Sequence, residues 1–96
     1  MPAYLIIQNH VVDPDEYAAY RERAPAVVQQ FGGRYLVRGG AHEVVEGNWD
    51  PERVIVLEFP SVERAREWYH SPEYQEIAPM RQRSAPSEII LVEGVS

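Results

Sequence analysis

Three segments of this chain with strand periodicity are apolar on both of their faces. The clearest is Ile89-Ile90-Leu91-Val92, which offers no polar side at all. In Ala3–Val12 the residues Tyr4, Ile6, Gln8 and His10 fall on one face and Leu5, Ile7, Asn9 and Val11 on the other. Arg53–Phe59 behaves similarly. A sheet built from such strands needs cover on two sides. The chain has 96 residues, enough for one domain and no second core. A domain of this size buries roughly 60–70% of its unfolded surface. The economical solution is a second copy stacked sheet to sheet, so a homodimer is expected.

The remaining signals set the order of elements. Asp13-Pro14-Asp15-Glu16 is a helix start, with Asp13 as cap, Pro14 at the first helical position and Glu16 able to reach back. Tyr17, Tyr20, Ala24, Val27, Val28 and Phe31 form its apolar side, Pro25 should kink it, and Gly32-Gly33 should end it in the left-handed conformation. A second strand, Arg34–Arg38, should resume as Glu43–Glu46 past a bulge or bend at Gly39-Gly40. Residues Gly47 to Pro51 read as a turn. After the strand Arg53–Phe59, Pro60 is a stop and Ser61 caps a helix burying Val62, Ala65, Trp68 and Tyr69. Ser71-Pro72-Glu73 then caps a separate short helix carrying Tyr74, Ile77 and Met80, and the last strand is Ser87–Glu93. The order is β-α-β-β-α-β with one added helix. Right-handed crossovers turn it into an α+β, ferredoxin-like antiparallel sheet with helices on one face.

Composition excludes several classes of chemistry. The chain has no cysteine, which removes disulfides and thiolate sites, and all nine basic residues are arginine. Lacking lysine, it can form neither a side-chain Schiff base nor a phosphate-loop contact of the lysine type. A formal charge of −6 disfavours nucleic acid. No apolar run nears the roughly 20 residues needed to span a bilayer, and the start MPAYLIIQNHVV lacks a basic leader region. A cytoplasmic protein without membrane or nucleic-acid partners is expected. His10, His42 and His70 are widely separated, so no metal and no cofactor are expected.

An ordered set of short pieces runs through the chain: Gly32-Gly33, Arg38-Gly39-Gly40, Glu46-Gly47, Glu58-Phe59-Pro60-Ser61, Ser71-Pro72-Glu73-Tyr74-Gln75, Arg81 and Val92-Glu93-Gly94. In these it resembles the family known as domain of unknown function 1330, over nearly its whole length. The resemblance implies a dimeric α/β barrel, in which two sheets face each other with helices outside. It implies no reaction. The wider superfamily includes cofactor-free oxygenases, isomerases, haem-binding enzymes and plain ligand binders, and fold analogy does not choose among them.

Several residues are candidates for a site, each with a plainer role beside it. Arg38, in a mostly apolar sheet, is either a fork for a carboxylate or an internal partner of Glu58 or Glu46. Glu58 is that partner or a general base with a raised pKa. Trp68 and Tyr74 are pocket walls or ordinary core, and Ser71 is a ligand contact or a cap. Arg81 and Arg83 either seal a cavity against an anion or lie on the surface. His42 is an acid or base, or an exposed turn residue. Trp49 is a dimer contact or a pocket lid. The leading expectation is a homodimeric binder of a small carboxylate or aromatic acid. Its contacts would be Arg38, Trp68, Ser71, Tyr74 and Arg81. The alternatives are a cofactor-independent isomerase or monooxygenase-like enzyme using His42 or Glu58, and a purely structural or regulatory dimer module.

Overall fold

The computed structural model describes residues 1–95. Its elements are β1 (Ala3–Asn9), α1 (Pro14–Gln30), β2 (Arg34–Arg38), β3 (Arg53–Phe59), α2 (Val62–His70), α3 (Pro72–Ser84) and β4 (Ser87–Glu93). The strands form one antiparallel sheet in the order β2-β3-β1-β4. The helices cover one face, giving a slab of 35 × 32 × 16 Å. Among the described residues no helix is long and apolar enough to cross a membrane.

The expected caps form. Asp13 accepts from Glu16 N–H at 3.2 Å, Ser61 from Arg64 N–H at 3.1 Å and Ser71 from Tyr74 N–H at 3.0 Å. Glu16 does not reach back to its cap, because its carboxylate is held by Arg83 across to α3 at 2.5 Å. Gly32, with φ +81°, ends α1. Gly33 has a different role: a Cβ there would meet the Phe59 ring at 2.6 Å and Val28 at 2.9 Å. The helix end therefore sits directly on the sheet.

Three expectations need correction. The helix after Ser71 is not short: α3 runs thirteen residues and makes the principal helix contact with α1. Residues Glu43–Glu46 form no strand. Val44 and Val45, adjacent between two glutamates, do not alternate, and β3, whose outer edge is taken by β2, begins only at Arg53 and offers them no partner. The bulge lies not at the glycine pair but at Leu36, where the β2–β3 register shifts between Tyr35 and Val37.

The core lies between the helices and one sheet face, where Leu5, Ile7, Ile55, Leu57 and Phe59 meet Tyr17, Tyr20, Val28, Trp68, Tyr74 and Ile77. The other face has no helix over it. Registered pairs place Val37, Val56, Ile6 and Ile90 in one apolar row across all four strands of that face. Ile90 is 59% exposed. The strand pattern predicted this bare face, and the structure has it.

Candidate functional site

Antiparallel pairing decides which side chains of β1, β2 and β3 point under the helices. On β1 the alternation that buries Leu5 and Ile7 also buries Asn9, an amide in an apolar row. The bulge at Leu36 matters most. In an unbroken ladder Arg38 would lie opposite Val54 and face away from the helices. The inserted residue instead pairs Arg38 with Ile55, on the same face as Tyr35 and Leu57. Gly39, with φ +73°, donates its N–H to Val54 O at 2.9 Å and closes the strand. It also leaves room for Arg53, whose guanidinium carbon would lie 2.5 Å from a Cβ at that position.

These choices converge on one small cavity of about 30 Å³ between the sheet and the helices. That is space for a water-sized group or two. The sheet contributes Ile7, Asn9, Tyr35, Arg38, Arg53, Ile55 and Leu57, and the helices contribute Tyr17, Tyr20, Arg21, Trp68 and Arg81. Four of the lining residues are arginines and none is an aspartate, glutamate or histidine. In a chain of formal charge −6, this is a concentrated positive lining. Among the described residues the ion pairs engage Arg23, Arg34, Arg64 and Arg83, so none of the four cavity arginines has a carboxylate partner.

The arginines are held by neutral groups instead. Arg81, buried at 6% exposure, donates Nε–H to the Tyr74 hydroxyl at 3.1 Å, and that hydroxyl meets Tyr20 Oη at 3.0 Å. Burial, reinforced by neighbouring Tyr74, pushes the Tyr20 phenol far above its ordinary value, so it stays protonated. Burial likewise raises Tyr35 to about 12, against the opposing pull of Arg38. Arg53 and Arg21 lie over the Tyr17 ring at 5.5 and 5.8 Å from its centre.

Arg38 stacks on Tyr35 at 4.7 Å and donates from Nη2 to the Arg21 carbonyl at 3.2 Å. That carbonyl lies four residues before Pro25, which sits inside α1 and has no N–H to offer it. Arg38 thus supplies the donor that Pro25 lacks. Its partner is neither Glu58 nor Glu46, contrary to the internal pair considered above.

Glu58 lies on the opposite, open sheet face. Its carboxylate accepts from Arg34 Nε at 2.7 Å, which, with help from Tyr4, holds its pKa below the ordinary carboxylate value despite some desolvation. The raised pKa of a general base is not found there. His42 sits in the segment between β2 and β3, 3.4 Å from Asp50, and is not a cavity residue. Ser71 is occupied as a cap, accepting from Tyr74 N–H and donating to Trp68 O at 2.7 Å. Trp68 lines the cavity, while Tyr74 stands behind it, packed on Trp68 with ring centres 4.3 Å apart. Trp49 donates to Gln8 Oε1 at 2.6 Å on the open face, so it is no lid for this cavity. Of the residues anticipated, the fold gathers Arg38, Trp68 and Arg81 with Tyr74 behind, and leaves His42, Glu58 and Ser71 elsewhere. It adds Asn9, Arg21, Arg53 and the three tyrosines. Asn9 had a signal, a lone amide on the apolar side of its strand; Arg53 had none in its neighbours.

Solved structures with the same fold include a protein of unknown function, RPA0582, from Rhodopseudomonas palustris. It is 24% identical, with 99% of this chain and 83% of that one covered and a TM-score of 0.75. SnoaB, a cofactor-independent oxygenase from Streptomyces nogalater, is 14% identical over 99% of this chain and 94% of its own, with a TM-score of 0.68. A dimeric ferredoxin-like protein of unknown function from Jannaschia sp. CCS1 is 12% identical over 98% and 100%, with a TM-score of 0.66. At these identities the likeness is one of fold. No curated protein matches the sequence. The sequence does match one family across nearly all of its length, residues 2–95, and the chain belongs to that family, described as Domain of unknown function (DUF1330).

Proposed function

We propose that this protein is a homodimeric binder of small organic anions, with the anion held between the sheet and the helices. One observation carries the reading: Arg21, Arg38, Arg53 and Arg81 surround a cavity whose lining contains no carboxylate. Guanidinium forks suit a planar carboxylate. A purely structural module would be expected to satisfy its own polar groups, and here four arginines do without an acid. The lining also lacks a histidine or carboxylate that could serve as a base, so it favours binding over base-catalysed turnover by His42 or Glu58.

At about 30 Å³ the cavity takes only the head group of a ligand. The remainder enters where Arg21 and Arg38 now lie, since both are exposed at the mouth and Arg38 is retained by a single 3.2 Å hydrogen bond and its stack on Tyr35. Their rotation outward admits a small or aromatic acid. A thermal-shift screen with acetate, phenylacetate and benzoate tests this, because a ligand at about 100 times its Kd stabilises by roughly 2.7 kcal/mol. Arg38→Ala should weaken whatever binds, and unchanged binding in that variant would refute the assignment.

The dimer reading is supported by the bare row Val37, Val56, Ile6 and Ile90, and by Trp49 lying exposed on the same face. The two sheets would stack at about 10 Å, each roofing the other. Ile90→Asp should split the dimer in a sedimentation experiment. A wild-type protein that sediments as one compact chain at micromolar concentration would sink the proposal.

A further inference from the structure

Asn9 Oδ1, Arg53 Nε and Trp68 Nε1 are sealed from solvent and have no hydrogen-bond partner among the described residues. All three residues line the arginine-rich cavity. Asn9 and Trp68 are 3% and 2% exposed, so neither atom can turn to bulk water for a partner. Folded interiors leave few such atoms, because each costs its full desolvation. Their grouping around a single small space therefore describes the polar surface of whatever fills that space.

The surface is mixed in character. Arg53 Nε–H and Trp68 Nε1–H are donors, whereas Asn9 presents a carbonyl oxygen, its amide nitrogen already donating to Tyr17 Oη at 3.1 Å. A plain carboxylate satisfies the two donors but has nothing to give Asn9, and its charge is repelled by that oxygen. A ligand that completes the set needs a donor close beside its carboxylate. The closeness follows from the size of the space, about 30 Å³ before Arg21 and Arg38 swing outward to admit the acid. An ammonium could donate too, but four surrounding guanidinium groups disfavour a cation.

We propose that the anion taken by this cavity is a 2-hydroxy acid, its carboxylate accepting from Arg53 and Trp68 and its hydroxyl donating to Asn9 Oδ1. This rests on the anion-binding reading above and specifies its ligand.

The experiment is isothermal titration of the wild-type protein with two matched pairs, glycolate against acetate and mandelate against phenylacetate, with glycine as the ammonium-bearing control. In whichever pair binds, the hydroxylated member should bind about tenfold tighter, the factor that one buried hydrogen bond supplies. Glycine should bind more weakly than glycolate. In Asn9→Ala, which removes the acceptor without adding bulk to the cavity, the two members of a pair should become equal. Equal affinities within each binding pair of the wild type, or tighter glycine, would overturn the hydroxy-acid inference and leave the anion site standing. Failure of all four acids to bind would overturn both. Should Asn9→Ala not fold by circular dichroism, the wild-type pairs decide alone.

Discussion

The contact between Arg38 and the helix opposite can be tested by a double-mutant cycle with Pro25. In α1 the Arg21 carbonyl lacks its normal donor because residue 25 is proline, and Arg38 Nη2 takes the vacancy at 3.2 Å. Pro25→Ala restores a backbone N–H there. An interior proline costs a helix about 3 kcal/mol relative to alanine. The native helix has already accommodated it, and the unfolded chain gains roughly 0.4–1 kcal/mol of entropy on its removal. Set against each other, these two terms cap the net stabilisation at about 2–2.6 kcal/mol. Arg38→Ala removes a charge-assisted bond that is exposed, so screening reduces its worth to about 0.5–1 kcal/mol. It also removes the stack on Tyr35, but that loss is common to both backgrounds and cancels. The coupling energy should therefore be about 0.5–1 kcal/mol, with Arg38→Ala costing less once alanine occupies position 25. Urea denaturation of the four proteins at one fixed concentration measures it, with melting points as a check at about 4–8 °C per kcal/mol. Additivity within about 0.3 kcal/mol would refute the idea that Arg38 replaces the missing donor.

Other expectations follow from the same geometry. Gly33→Ala drives a methyl group into the Phe59 ring at 2.6 Å and Val28 at 2.9 Å, both fully packed, and should cost about 2–3 kcal/mol in denaturant titration. Gly39→Ala strains a residue at φ +73° and displaces the Arg53 guanidinium, so anion binding measured by calorimetry should fall more steeply than stability. The Glu58 pKa is lowered by the Arg34 bond, so its contribution is full above the unfolded value of 4.5 and is lost as pH falls through the lower folded value. Arg34→Ala should flatten the acid limb of a stability–pH curve, and an unchanged limb would show that this pair does not shape it.

Short-range chemistry made much of this fold readable in advance. Asp13, Ser61 and Ser71 cap helices through bonds to residues three positions away, and Gly32 ends α1 by its own backbone freedom. The alternation in β1, β3 and β4 announced a sheet with two apolar faces, because side chains on a strand point in turn to either side. The pieces that carry the family resemblance, such as Glu58-Phe59-Pro60-Ser61, are of the same local kind.

What the chain alone did not decide is how β2 lies against β3. The extra residue at Leu36 is a property of the pair, and it turns Arg38 from the open face to the cavity. The same long-range register assigns Glu58 to Arg34 and leaves Glu43–Glu46 without a partner strand. Arg21, Arg53 and Asn9 come from three different elements and meet only when helix and sheet close together. Caps and turns are written within a few residues, but a charged cavity without acids depends on pairings between segments far apart in the chain. Those pairings are set by the packing of the whole domain.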